Sequence, residues 1–293
     1  MSKRLLITGA SGFLGWNLCQ VAQENWEVHG TFCQHPIELA GATLHALDLT
    51  DTEMVKELID RVRPDGIIHA AAASSPNFCQ SHPDLSYRIN VIASQRLAEI
   101  CRSANVPFVF TSTDLVFDGK NPPYKETDTP CPINLYGEHK LAAEIAISNT
   151  YPQATICRMP LMFGMAPPTA TSFIQPWLKA LTSGEPLQLF VDEFRTPASA
   201  IAASKGLLIA LNRPGEVLNL GGKERISRYD FGMILAEVFR CDRNLISPLH
   251  QSDIVMAAPR AADVSLDSSK AFSLGYDPLS IRAELTALAS TIL

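Results

Sequence analysis

The 293-residue chain has no Cys-x-x-Cys pair, no His-Glu-x-x-His spacing and no run of about 18 apolar residues. The first two absences remove the common thiol and zinc signatures, so no metal is expected. The third removes a membrane-spanning helix. Charge is sparse as well: charged residues make up 18%, and the net charge is -6 with no Lys/Arg-rich run. A general nucleic-acid binder needs a basic stripe along the phosphates, and this chain offers none. A phosphorylated small molecule is not excluded, because one or two local donors suffice for it.

The first apolar run is short and ends at Gly9, unlike a signal peptide. Seven cysteines (Cys19, Cys33, Cys79, Cys101, Cys131, Cys157 and Cys241) are scattered over predicted strands and helices. An odd, dispersed set fits buried or inert reduced thiols, and a cytoplasmic location is expected.

What the chain does have is apolar residues, 46% of the total, enough for one large α/β domain or two unequal lobes. Up to residue 160, short apolar runs alternate with helical patterns, as a doubly wound parallel sheet requires. The predicted strands are Arg4–Thr8, Glu27–Thr31, Thr43–Ala46, Gly66–Ala70, Phe108–Thr111 and Thr155–Arg158. Predicted helices are Gly12–Gln23, Thr52–Arg63, Asp84–Ala104 and Tyr136–Asn149, with Thr50-Asp51-Thr52-Glu53 read as a capping box. The proline-rich stretch Asp118–Pro132 reads as an ordered loop over the sheet's carboxyl edge.

Beyond Pro160 the pattern loosens. Helices are predicted at Thr171–Thr182, Pro197–Leu211, Arg228–Phe239 and Leu279–Ile292, with strands at Leu187–Phe190 and Glu216–Asn219. Residues 1–160 are expected to form a Rossmann-like dinucleotide-binding domain. Residues 161–293 are expected to form a smaller α/β substrate-binding lobe interleaved with it.

The first strand runs into Gly9-Ala10-Ser11-Gly12-Phe13-Leu14-Gly15, and an amphipathic stretch Asn17–Gln23 follows. A strand, a glycine turn and a helix start aim unpaired N–H groups and the helix dipole at an anion. Glycine permits the sharp turn, the close approach of pyrophosphate and tight helix–strand packing. The spacing is one residue wider than G-x-G-x-x-G. About 20 residues on, where NAD sites often carry an acid for the ribose, His29–His35 contains no carboxylate and no Lys or Arg. NADP or NAD is therefore expected, with NADP favoured. Asp48 ends the third predicted strand; it either meets an adenine amine or starts the next helix.

Tyr136-Gly137-Glu138-His139-Lys140 puts a phenol and an ammonium one helical turn apart. A carbonyl that accepts hydride needs a proton at oxygen, and a free tyrosine titrates near pH ~10. The lysine is expected to lower that value and to grip a cofactor ribose. Ser112-Thr113-Asp114 leaves the predicted fifth strand at the edge where such sheets bind ligands. The Thr113 hydroxyl either shares the carbonyl with Tyr136 or makes an ordinary strand-end hydrogen bond.

The segments Gly9–Gly15, Ser112-Thr113-Asp114-Leu115-Val116-Phe117-Asp118-Gly119 and Tyr136–Lys140 resemble the extended short-chain dehydrogenase/reductase family. Within it the chain is most similar to dTDP-4-dehydrorhamnose reductases, which also share His69-Ala70-Ala71-Ala72 and Tyr87-Arg88-Ile89-Asn90-Val91. The resemblance covers the chain well to about residue 165.

It implies Tyr136 as proton donor, assisted by Thr113 and Lys140. It places Gly12, Phe13 and Leu14 at the pyrophosphate, with Gly9, Ser11 and Gly15 also in the cofactor site, and Asp48 and Leu49 beside adenosine. Ala71, Ala72 and Ala73 would line the cofactor cleft, and Asn90 would join the cofactor site and support the active-site helix. Thr113 and Asp114 would meet sugar hydroxyls. Departures are Leu115 in place of an aromatic, Leu161 in place of a tryptophan against the sugar, and Pro76–Gln80 without the acidic pattern. Arg195, in Asp192–Pro197, either forks onto a nucleotide diphosphate or lies on the surface.

The activity implied is NAD(P)H-dependent reduction of a nucleotide-activated keto-sugar, as in dTDP-rhamnose biosynthesis. The alternatives are a nucleotide-sugar epimerase and a non-catalytic dinucleotide-binding regulatory subunit, like relatives that act beside methionine adenosyltransferase. Leu115, standing where sugar dehydratases carry an acid, weakens a dehydratase. Monomer and homodimer stay open.

Overall fold

The structure is a computed structural model that describes residues 2–292. Its centre is a parallel sheet whose first six strands are β1 (Arg4–Thr8), β2 (Glu27–Phe32), β3 (Ala42–Ala46), β4 (Gly66–His69), β5 (Phe108–Thr113) and β6 (Thr155–Met159). A seventh strand, Val217–Asn219, comes from the second half of the chain. The order across the sheet is Val217–Asn219, β6, β5, β4, β1, β2, β3.

The apolar runs become central strands because helices cover both faces. Leu5, Leu6 and Ile7 of β1 are all buried, as is every residue of β4 and β5. One core packs the sheet against the helices Phe13–Ala22 (α1) and Ala200–Ala210. The other packs it against Thr52–Val62 (α2), Ala93–Ala104 and Leu135–Thr150. This is the expected doubly wound, Rossmann-like arrangement.

Local capping differs from expectation at α2. The cap is Asp51, whose carboxylate accepts from the Glu53 and Met54 N–H groups at 3.1 Å. The Thr50 hydroxyl is diverted, donating to Asp48 at 2.8 Å. A shorter, charged acceptor one residue closer to the helix outcompetes the hydroxyl.

The helix predicted over Asp84–Ala104 begins at Pro83 and contains a five-residue π turn, Arg88–Ile92. A further helix, Pro76–Ser81, capped by Ser75, was not anticipated.

The smaller lobe has its own core of Phe163, Ile174, Phe231, Leu235, Ile281 and Leu285. Around it lie the helices Ile174–Thr182, Arg228–Val238 and Ile281–Ile292. Its strands pair only in twos: Met162–Phe163 with Ala198–Ser199, Phe194–Arg195 with Ile226–Ser227, and Leu187–Phe190 with Ile246–Leu249. The proline-rich loop is pinned to the C-terminal segment, where Tyr124 N–H donates to Ser265 and Asp267 N–H donates to Tyr124.

Candidate active site

At the carboxyl ends of β1, β4 and β5 lies a cleft of about 990 Å³ between the sheet and the smaller lobe. Its first wall is the glycine turn. Gly9 has φ +73°, and a Cβ there would lie 2.8 Å from the Ala71 Cα; a Cβ on Gly15 would run into the Gly9 carbonyl. The turn is closed by Gly12 N–H donating to Gly9 at 2.9 Å.

α1 then begins on Gly12 with no side-chain cap and no acidic residue in its first turn. Its opening N–H groups and its dipole thus have no internal anion. The cradle fits a diphosphate. The smaller lobe braces it: Thr169 donates its hydroxyl proton to the Ser11 carbonyl at 2.7 Å, and the Asn17 amide donates to Met165 at 2.9 Å.

The second wall is the segment after β4, held by a buried network. Thr8 accepts from the Ala70 and Ala71 N–H groups at 3.1 and 3.2 Å, so its own proton goes to His69 Nδ1 at 2.7 Å. Ser94 donates to the Asn90 carbonyl at 2.8 Å and therefore accepts from His69 Nε2 at 2.9 Å. Only the neutral Nε2–H tautomer satisfies every bond. Burial, helped by the Lys140 charge, pulls the His69 pKa down to about 3.

Asn90 departs from its expected place as a cofactor contact. Its amide accepts from Ala73 N–H at 2.9 Å and donates to the Ala73 carbonyl at 3.1 Å. It sits in the π turn, outside the lining of the cleft, and shapes the wall from behind.

The opposite end of the cleft is built on β5, two residues longer than expected, and on the helix Leu135–Thr150. Asn134 caps that helix, accepting from Gly137 N–H at 2.9 Å. Tyr136 and Lys140 are both buried, and Lys140 Nζ lies 4.0 Å over the Phe110 ring. Thr113 closes β5, its hydroxyl donating to Asp114 at 3.2 Å.

Electrostatics here run opposite to the expectation for the phenol. Burial, then Asp114, pushes the Tyr136 pKa up, against a smaller lowering by Thr113. Lys140 does not counter this, because burial lowers its own pKa to about 7 despite Glu144. Burial and Asp114 thus favour the protonated phenol of Tyr136. Burial also lifts Asp114 to about 6, with Arg195 opposing. Its Oδ2 and the Ser112 hydroxyl are buried without hydrogen-bond partners.

Deeper in the smaller lobe, Glu193 is buried among arginines. It accepts from Arg228 Nε at 2.9 Å and Arg260 Nη1 at 3.1 Å, with Arg195 Nη2 at 3.7 Å. Arg195 is buried, not on the surface; it donates to the Phe194 and Ala261 carbonyls at 2.8 and 3.3 Å. Its Nε lies 3.5 Å from Asp114, too poorly aligned for a hydrogen bond.

Gly9, Ser11 to Gly15, Asp48, Leu49, Ala71 to Ala73, Thr113, Asp114, Tyr136, Lys140, Leu161 and Arg195 all line this one cleft. Cys33, Gln34 and His35 line the end near Asp48. Asp48 accepts from both Thr50 N–H and its hydroxyl, so it also serves the turn into α2. Sequence reasoning missed Glu193, Arg228 and Arg260. Glu193 lay inside the segment quoted around Arg195, whereas nothing in the local pattern marks the two arginines. Among the described residues no cluster of His, Cys, Asp or Glu could hold a metal, and no helix is long and apolar enough to cross a membrane.

A family profile described as the RmlD substrate binding domain matches residues 3–292. A probable low-salt glycan biosynthesis reductase from Haloferax volcanii is 32% identical over 290 residues, covering 96% of each chain. The Xenopus laevis methionine adenosyltransferase 2 subunit beta is 31% identical over 282 residues, covering 94% of this chain and 83% of that one. Among solved structures, a Bacillus anthracis dTDP-4-dehydrorhamnose reductase in complex with NADP superposes with a TM-score of 0.88. It is 22% identical and covers 99% of this chain and all of its own.

Proposed function

Because the chain belongs to the RmlD substrate-binding family, we propose that it reduces a nucleotide-activated keto-sugar with NADPH or NADH. The observation that carries this reading is a single cleft holding the glycine turn at one end and Thr113, Tyr136 and Lys140 at the other. A reduced nicotinamide, when bound, supplies hydride. The chain's own residues do the rest.

Gly9 to Gly15 and the start of α1 hold the pyrophosphate, Asp48 and Leu49 flank adenosine, and Ala71 to Ala73 line the passage between. Lys140 grips the ribose. Tyr136 gives its proton to the carbonyl oxygen as charge develops there, and Thr113 donates a hydrogen bond to the same oxygen. Asp114, with its free Oδ2, accepts from sugar hydroxyls, and Leu161 packs against the ring. NADP is favoured because Cys33, Gln34 and His35 bring no carboxylate to the end near Asp48. Free cysteines throughout fit a reducing compartment, and we place the protein in the cytoplasm.

A second reading, a dinucleotide-binding regulator, is favoured by the similarity to the methionine adenosyltransferase subunit. The intact Thr113, Tyr136 and Lys140 set speaks for catalysis. Nicotinamide absorbance, followed with dTDP-4-keto-6-deoxy-mannose and a panel of nucleotide keto-sugars, decides between them. Oxidation of NADPH supports the reductase. Cofactor binding without oxidation by any of them favours the regulator, and inversion of a hydroxyl-bearing carbon of a nucleotide-sugar with no net change in bound NAD would indicate an epimerase.

A further inference from the structure

Asn134 is 4% exposed, lines the cleft and divides its amide between two parts of the molecule. Its Oδ1 accepts from Gly137 N–H at 2.9 Å, capping the helix Leu135–Thr150 that carries Tyr136 and Lys140. Its Nδ2 donates to the Pro259 carbonyl at 3.2 Å, across 125 residues of chain. Only this orientation of the amide satisfies both bonds, since one neighbour is a donor and the other an acceptor. Asp or Ser would cap the helix equally well, so the bond to Pro259 is what an asparagine adds here.

The segment that receives this bond has little else to hold it. At one end Gln251 N–H donates to the Asp192 carboxylate at 3.1 Å; at the other, Phe194 N–H donates to the Ala262 carbonyl at 2.7 Å. Between these anchors the chain swings into solvent, with Ile254 44% and Val255 fully exposed. It returns to line the cleft with Ala258, Pro259 and Arg260. Among the described residues, residues 255–260 are held by two hydrogen-bonding side chains: Arg260 on Glu193 in the smaller lobe, and Asn134 on Pro259. The start of the active-site helix is itself wedged, because a Cβ on Gly137 would run into the Leu115 carbonyl in the turn after Thr113. A shift at Asn134 is therefore passed to both Tyr136 and Thr113.

We propose that Asn134 is a positioning residue that latches the wall formed by residues 258–260 to the active-site helix. A keto-sugar resting on that wall then meets the Tyr136 phenol in register. This rests on the reductase reading of the same cleft. Asn134 transfers no proton; it acts through Pro259 on one side and the helix start on the other.

Full-length Asn134→Asp and Asn134→Ser separate the latch from the cap, since both keep a good N-cap and remove the amide donor. Both should melt as the wild type does. NADPH affinity should stay within about twofold, while kcat for the keto-sugar falls by about 10- to 100-fold, as expected for misplaced reacting groups. Hydrogen–deuterium exchange without ligand gives a readout independent of turnover. The Gln251 and Phe194 amides, which tether the two ends of the segment, should exchange faster in both variants.

Wild-type turnover or unchanged exchange in both variants overturns the proposal. A loss confined to Asn134→Asp would trace to its new charge and also overturns it. Matched losses of melting temperature, NADPH affinity and turnover would make Asn134 a helix cap and nothing more. If the wild type oxidises NADPH with no nucleotide keto-sugar, the reductase reading fails and exchange alone decides: faster exchange in both variants supports the latch, and unchanged exchange removes it.

Discussion

Replacing Lys140 with Met should make the protein more stable at pH 7, although it removes a group essential to the proposed reaction. Lys140 is 1% exposed, and burial lowers its pKa from the ordinary 10.5 to about 7. Its folded-state value lies below the unfolded one, so between pH 7 and 10.5 the unfolded chain holds more protons. Stability therefore rises with pH across that window.

At about 1.36 kcal/mol per pH unit, the cost of keeping this lysine is at most about 4 to 5 kcal/mol near pH 7 and fades towards pH 10.5. Water entering the open cleft reduces it, so a gain of about 2 kcal/mol is the working figure. For a chain of this size that is a rise of roughly 3 °C in Tm. The assay is thermal unfolding of wild type and Lys140→Met, without cofactor, at pH 7 and pH 10. The variant should melt higher at pH 7, with the gap closing at pH 10, and should turn over poorly. A variant that melts lower at both pH values would refute the reasoning and make Lys140 a stabilising core residue.

Tyr136→Phe should lower kcat by about 10²- to 10⁴-fold, the usual worth of a general acid, with NADPH affinity within twofold; equal loss of both would make the phenol a cofactor ligand. Gly15→Ala should abolish cofactor binding, read by quenching of NADPH fluorescence, because its Cβ would strike the Gly9 carbonyl; normal affinity would remove the turn from the site. His69 is held neutral with a pKa near 3, below its unfolded value, so stability should fall as pH drops from about 6.5 towards 3. Urea midpoints from pH 7 to pH 4.5 should decline more steeply in wild type than in His69→Gln; parallel slopes would mean that another group drives acid unfolding.

The central strands were legible because each is a continuous apolar run buried on both faces, as Leu5 to Ile7 and Phe108 to Phe110 are. The glycine turn and the Tyr136/Lys140 pair were legible as motifs because their spacing is local, and the fold brings them to one cleft. Strands of two residues, such as Phe194–Arg195, are too short to carry a period. The arginine cluster was invisible for another reason: Arg228 and Arg260 meet Glu193 across 35 and 67 residues of chain. The bonds of Asn90 to Ala73 were not legible, since the π turn that points it there has no signature in its neighbours. The direction of the Tyr136 shift depended on burial and on Asp114, neither of which spacing reveals.

The most direct measurement is a crystal structure with NADP and dTDP bound together. Tyr136 Oη should stand over the nicotinamide face, within hydrogen-bonding reach (about 3.2 Å or less) of a carbonyl oxygen placed there, with the pyrophosphate on the N–H groups of Phe13 and Leu14. A nicotinamide ring seated away from Tyr136, or a pyrophosphate that avoids the glycine turn, would contradict the reductase.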